Sequence, residues 1–285
     1  MNDTVLALAL CVASSVCYAL GAIAQRRIAL TPTMDAFRWL WALGLNLAGG
    51  ALHVAALRFG PVTIVQPLGA LTLVFALPMR REAYATSRSE WAGAALIVVA
   101  LAGLVSLMLP AGPPALSAYQ VLVVGGASAG VTAALVAVSA APSPMIRALS
   151  LAAGAGIAFG TASALVPVVL AVTGWTVLMV GGLVGCFALA GVALSQSSYR
   201  DFGLGLPLAA QTIANPVAAI VIGLTVLGEG VRFGGLALTL VAAAVMACGV
   251  VMLARGEEAR RAVSAHVPGS RIEGYEAQPA SSPGR

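Results

Sequence analysis

Between Ala118 and Ala140 the chain passes through twenty-three residues without one charged side chain. Eight more apolar stretches resemble it, and none of the nine holds a carboxylate. A bilayer core about 30 Å thick takes roughly 20 apolar residues per helix, and this rule places spans at 5–24, 37–58, 61–79, 91–110, 118–140, 146–171, 174–197, 204–227 and 233–254. Only 9% of the residues are charged, against roughly 25% in a soluble domain. The expected fold is therefore an all-α polytopic membrane protein of nine transmembrane helices. Residues 255–285 are rich in Glu, Arg, Ser, Pro and Gly; they carry too little apolar surface to order themselves and read as a disordered tail.

Charge sets the orientation. All fifteen basic residues are arginine. With nine spans, Arg26, Arg27, Arg38, Arg80, Arg81, Arg88, Arg147, Arg200, Arg255, Arg260, Arg261, Arg271 and Arg285 share one side, leaving Arg58 and Arg232 on the other. Positive charge is retained in the cytoplasm, so the expected placement is a plasma (inner) membrane with the N-terminus outside and the tail inside. The basic pI of about 9.4 follows from this topology and does not point to nucleic acid. Residues 5–24 end on Ala22-Ile23-Ala24 like a secretory signal, yet MNDT supplies no positive leader and Gln25-Arg26-Arg27 follow at once. They are read as a retained first span. Cys11, Cys17, Cys186 and Cys248 all fall inside spans and read as small apolar residues with no metal-binding spacing. No cofactor is expected.

Two spans carry the same irregularity. TIVQP at 63–67 and TIANP at 212–216 each set an amide beside a proline within an apolar run. Upstream, His53 precedes Phe59-Gly60 by six residues, as Gln196 precedes Phe202-Gly203. These landmarks lay spans two and three over spans seven and eight. An offset of five is odd, so the second copy enters the membrane inverted. Inverted repeats with broken helices at the midplane are a common transporter plan. Pro67 and Pro216 lack an N–H, which frees the carbonyls of Thr63 and Thr212. The amides of Gln66 and Asn215 add a donor and an acceptor each. Thr63, Gln66, Thr212 and Asn215, with Gln211, are the expected lining of a central polar cavity. His53 and Gln196 are further candidates, His53 being the ionisable side chain placed inside a span and able to change charge near neutral pH. The plain alternative is that neighbouring helices satisfy these groups and the prolines only kink their helices.

ALRFGPVTIVQPLGAL (56–71) resembles the first-half signature of the NIPA-type magnesium transporters, and NPVAAIVIGLTVLGEG (215–230) after Phe202-Gly203 resembles the EamA-type repeat. ASSVCYALGAIAQ (13–25) is similar to the first helix of small multidrug resistance proteins. All belong to the drug/metabolite transporter superfamily. The resemblance covers nearly all of 5–254 and implies an inverted 4+1+4 layout: repeat 1 over about 5–110, a linking helix at 118–140 and repeat 2 over about 146–254. The proton-coupling glutamate of the multidrug family has no counterpart, since Ser15 and Ile157 stand at the matching places.

The resemblance also implies Mg²⁺, a cation that usually takes at least one carboxylate, whereas the acidic residues all lie outside the spans or at their edges. Neutral hydrogen-bonding groups suit a small polar metabolite better. The reading is a permease for such a metabolite, working by alternating access, with a divalent-cation transporter as alternative and a non-transporting scaffold after that. No nucleophile–base constellation marks an enzyme. Expected partners are the lipid bilayer and the substrate; a homodimer is left open. Gly126-x-x-x-Gly130, Gly156-x-x-x-Gly160 and Gly181-x-x-x-Gly185 read as helix-packing motifs. Ser14, Ser15, Tyr18, Thr161 and Ser163 could extend the polar path, and Trp39, Trp41, Trp91 and Trp175 read as interface anchors.

Overall fold

The structure is a computed structural model and describes residues 3–31, 35–56, 58–59, 68–79, 86–109, 116–226, 230–231 and 235–266. Among these residues nine α-helices follow one another: α1 (Asp3–Ala29), α2 (Ala36–Ala56), α3 (Leu71–Met79), α4 (Arg88–Ser106), α5 (Ala118–Val138), α6 (Pro144–Ala171), α7 (Trp175–Phe202), α8 (Gly205–Thr225) and α9 (Gly235–His266). All but α3 are long and apolar enough to cross a membrane. A helix satisfies its own backbone polar groups, which hydrocarbon demands, and the chain is an all-helical, multi-pass membrane protein. A two-residue antiparallel ladder joins β1 (Met108–Leu109) to β2 (Gly230–Val231). Of the expected third span, 61–79, the described part begins at the helical Leu68 and passes through a turn at 69–70 into α3. Thr63, Gln66 and Pro67 lie outside the described residues.

Side-chain contacts fix the helix directions. Gly21 meets Asn46 while Gly49 meets Tyr18, so α1 and α2 are antiparallel. Gly154 faces Leu194 and Gly191 faces Phe159, which makes α6 and α7 antiparallel as well. Gly156 abuts Gln211, Ala214 and Asn215, and Gly160 abuts Asn215 and Ala218, so α6 and α8 run parallel. Gly93 and Gly249 touch each other's backbone, while Gly256 reaches Glu90 and Gly203 reaches Glu257. These last contacts gather the start of α4, the end of α9 and the α7–α8 link at one end of the bundle, together with Arg88, Arg200 and Arg255. We refer to it as the arginine-rich end. The β1–β2 ladder closes the opposite end.

Helix starts follow from local chemistry. At the arginine-rich end the Phe37 N–H donates to Asp35 Oδ1 (3.0 Å) before α2. Ser87 and Glu90 form a capping box for α4: the Ser87 N–H donates to Glu90 Oε2 (2.8 Å), and the Glu90 N–H to Ser87 Oγ (3.2 Å). Ser143 caps α6 through the Ile146 N–H (3.4 Å), with Pro144 in the first turn, where a missing N–H costs least. At the other end Ser117 and Gln120 make a second capping box for α5. Each satisfies donors that a helix start leaves open.

The main core gathers Leu73 and Leu77 of α3, Ile97 and Leu101 of α4, Tyr199, Leu204, Leu208 and Leu253. A second cluster joins Val121 and Val124 of α5 to Leu165, Val168, Val180 and Ile222. The outer surface stays apolar: Leu178, Val99, Leu40 and Leu240 are all more than half exposed, as lipid contact requires.

Two expectations change. The tail was expected to begin at Arg255, yet α9 continues to His266. Ala242, Met246, Gly249, Leu253 and Gly256 are buried at alternating spacings of four and three, so one packed stripe runs on past the hydrocarbon-length segment. Of the three Gly-x-x-x-Gly motifs, only Gly156 and Gly160 pack closely; Gly126, Gly130, Gly181 and Gly185 meet nothing among the described residues.

The α4–α9 seam depends on two absent side chains. A Cβ on Gly93 would lie 2.6 Å from the Gly249 carbonyl oxygen, and one on Gly249 would lie 2.7 Å from the Gly93 oxygen. Overpacking of this kind costs about 1–3 kcal/mol. Gly93→Ala and Gly249→Ala should each lower the thermal midpoint of the purified protein, whereas Gly126→Ala should leave it unchanged or raise it slightly, since alanine is the better helix former. Equal midpoints for all three would contradict the seam.

Candidate functional site

Five of the expected site residues fall in two described helices of the second half. α8 carries Gln211, Thr212, Asn215 and Pro216, all half-buried. α7 carries Gln196, also half-buried. α8 remains helical through Pro216, so the expected break is absent here. One missing N–H leaves the Thr212 carbonyl without its intrahelical donor, and the helix tolerates that loss without unwinding.

The face of α8 bearing Asn215 is held by glycine. A Cβ on Gly156 would come within 2.7 Å of the Gln211 carbonyl oxygen and 3.0 Å of the Asn215 nitrogen, and one on Gly160 would collide with the Asn215 carbonyl oxygen. α6 and α8 are thus in backbone contact at the level of the amides. Thr161, one residue on, donates to the Ile157 carbonyl at 2.9 Å, and its hydroxyl oxygen pairs with the Ser128 hydroxyl at 2.9 Å, tying α6 to α5.

Gln211 is engaged inside the protein. Its Oε1 accepts from the Ser195 hydroxyl at 2.5 Å and from the Tyr199 hydroxyl at 3.5 Å, while those two hydroxyls lie 3.0 Å apart. Ser195 and Tyr199 are both 1% exposed. Sequence reasoning missed this pair. Their spacing of four on one helix face, two turns beyond Cys186-Phe187, was the available signal. Gln196 faces elsewhere: its Oε1 accepts from the Trp39 indole N–H at 3.0 Å. That bond joins α2 to α7 at the arginine-rich end, so Trp39 is a tie between helices and not only an interface anchor.

In the first half, Ser14 donates to the Gly49 carbonyl (2.7 Å) and Ser15 to the Leu68 carbonyl (2.8 Å). Both are fully buried and bind α1 to its neighbours. Ser163 is exposed, which removes it from a polar path. Asn46 donates to the Ala42 carbonyl one turn back at 2.8 Å. Tyr18 lies against Gly49 with its hydroxyl beside Gly50, and His53 is half-buried one turn further along α2. Nothing joins His53 to Gln211 or Asn215 among the described contacts. Gln25 was also missed: it is 2% exposed, and its Nε2 finds no hydrogen-bond acceptor among the described residues.

Two carboxylates outside the expected spans are nonetheless buried. Glu90 is fully buried and Glu257 is 4% exposed, both at the arginine-rich end. No group of three or more His, Cys, Asp or Glu able to hold a metal ion occurs among the described residues. A cleft of about 490 Å³ lies at the α5–α6 turn, lined by Val136, Ser139, Pro142 and Arg147, away from the α8 amides.

The Ser195–Tyr199–Gln211 cluster should behave as a unit. Tyr199→Phe removes one hydroxyl and should cost about 0.5–1.5 kcal/mol; Ser195→Ala removes the hydroxyl that meets both the buried Tyr199 and the half-buried Gln211 and should cost about 1–3 kcal/mol. Thermal unfolding of the single and double variants would check this. Strict additivity would show that the three groups do not share one network.

No protein-family model matches the chain, and no solved structure matches it. It is similar to "Uncharacterized protein Cgl0250/cg0304" of Corynebacterium glutamicum, with 30% identity over 254 residues, covering 80% of this chain and 87% of that protein. A likeness sustained over most of both chains marks common descent, and the chain belongs to the same family as this Corynebacterium glutamicum protein.

Proposed function

We propose that the protein is a permease of the drug/metabolite transporter type, moving a small polar metabolite by alternating access. The observation that carries this reading is the pair of neutral polar residues Thr212 and Asn215, half-buried on α8 beside a proline-freed carbonyl, on a helix whose backbone at Gln211 and Asn215 abuts Gly156 and Gly160 of α6. Such groups are costly in an apolar interior unless something polar meets them. A passenger bearing hydroxyl, amide or carboxylate groups would do so. The buried Gln25 Nε2 on α1 is a further donor of the same kind.

An inverted 4+1+4 repeat is supported by how the helices associate. α1 packs antiparallel on α2 and also meets α3; α6 packs antiparallel on α7 and also meets α8. The fourth helices of the two halves, α4 and α9, meet in a reciprocal contact in which each glycine abuts the other's carbonyl. A pseudo-twofold axis in the membrane plane would generate that reciprocity. α5 then serves as the linking helix. The arginine excess places the arginine-rich end in the cytoplasm and the N-terminus outside.

Metabolite comes before cation because the mid-span groups are neutral. A hydrated divalent ion would want a carboxylate, and Glu90 and Glu257 lie at the helix ends, away from Asn215. Reconstitution into proteoliposomes distinguishes the readings. A panel of radiolabelled polar metabolites and a Mg²⁺ tracer are offered in parallel. The expected outcome is saturable uptake of a metabolite, reduced at least about tenfold by Asn215→Leu, a loss on the scale of one or two hydrogen bonds to the passenger. Mg²⁺ entry should equal that of empty liposomes. Saturable Mg²⁺ entry without metabolite uptake would favour the cation transporter, and no uptake of either would favour a scaffold.

A further inference from the structure

Four helices begin at the arginine-rich end, and three of them start on a nearby side-chain oxygen: Asp35 for α2, Ser87 with Glu90 for α4, and Ser143 for α6. α8 is the exception. Its N-cap position is Leu204, which makes no side-chain cap bond. Water is not the substitute, because Gly203, Leu204, Gly205 and Leu206 are all buried. Leu208 already donates to the Leu204 carbonyl, and Pro207 has no N–H. Among the described residues no backbone acceptor is recorded for the N–H groups of Leu204, Gly205 and Leu206, the donors a helix start leaves open.

A carboxylate lies at this place. Gly203 has φ +83°, a conformation that favours glycine. A Cβ built on it would collide with Glu257 Oε1 and come within 2.8 Å of the Glu257 carboxyl carbon. Glu257 belongs to the part of α9 beyond the expected last span, and it is 4% exposed. A buried carboxylate is stabilised by donors and by the positive end of a helix dipole. The uncapped start of α8 offers both.

We propose that Glu257 caps α8 in trans: its carboxylate accepts from the backbone N–H groups at 204–206 and holds the two-residue α7–α8 link against the extension of α9. The glycine at 203 admits the carboxylate by omitting a side chain where Oε1 must sit. Glu257 thereby positions α8, the helix that bears Gln211, Thr212 and Asn215. The inference stands on helix-end chemistry and does not depend on transport.

Hydrogen–deuterium exchange of the full chain in lipid nanodiscs, read by mass spectrometry, tests it without any substrate. In Glu257→Ala, amides 204–206 should exchange at least about fivefold faster than in the parent, the effect of losing one helix cap. Peptides from α6 should keep their rates. Parental exchange at 204–206 in a folded Glu257→Ala protein overturns the proposal. Should that variant fail to fold, Glu257→Gln decides instead, because it keeps the shape and one acceptor but drops the charge. About threefold faster exchange at 204–206 supports the cap, and parental exchange overturns it.

Discussion

A peptide N–H or C=O that enters hydrocarbon without a partner costs several kcal/mol, so backbone satisfaction comes before every other choice in this chain. Within the helices the problem solves itself. At the ends it does not, and there the few polar side chains are concentrated. Helix starts need acceptors, supplied by Asp35, Ser87, Glu90, Ser117 and Ser143. Helix finishes favour cations, and Arg26, Arg27 and Arg200 sit in the last turns of α1 and α7. Because helices start and finish at the same end, charges of both signs gather there: Asp35 and Arg38, for example, form a 3.1 Å pair. An exposed pair such as this adds little stability. The buried Glu90, with its capping-box bonds, matters more.

The interior uses a different device. Where α6 meets α8, Gly156 and Gly160 let two backbones touch, and the polar atoms at the contact belong to the backbone of Gln211 and Asn215. Close packing of small residues replaces the hydrophobic drive that lipid cannot supply. The same device joins α4 to α9 through Gly93 and Gly249. Serines then bolt α1 in place by donating to carbonyls of α2 and to Leu68. These hydroxyls satisfy themselves across helices, which is why a list of polar residues in the spans overstates what is available to a passenger. Ser14, Ser15, Thr161 and Gln211 all have partners within the protein.

Much of this was legible in the sequence, and the misses share a cause. Apolar run length located the membrane-length helices, all but the end of α9 within about five residues of their bounds, because burial of about 20 apolar residues is a strong and local requirement. Helix ends were partly legible as well: Phe202-Gly203 does close α7, with Gly203 at positive φ. Composition failed at residues 255–266. It counts polar residues without asking whether a neighbouring helix supplies partners, and the buried stripe Leu253, Gly256, Glu257 continues the spacing of Ala242, Met246 and Gly249. Pro216 misled in the other direction. A proline removes one bond, but packing against α6 holds the helix together around it. Pairings such as Trp39 with Gln196, or Gln211 with Ser195 and Tyr199, depend on which helix faces which, and one sequence does not carry that information.

Where the bundle is stiff also bears on how it could move. The α4–α9 and α6–α8 contacts bring backbone against backbone, and such seams shift little without opening voids. By contrast, among the described residues one hydrogen bond, from Trp39 to Gln196, ties α2 to α7 at the arginine-rich end, and it is worth only about 0.5–1.5 kcal/mol net. Under alternating access, rearrangement would concentrate where the links are few and weak. Because α1 packs on α7 as well as on α2, the movement would fall on α2 relative to α7, with the α4–α9 seam fixed. In the proposed repeat, Trp39 and Gln196 come from corresponding helices, α2 and α7, and breaking their bond would leave the glycine seams intact. A latch of this strength opens readily on the scale of a conformational equilibrium of a few kcal/mol, whereas parting a glycine seam would forfeit packing along whole helices.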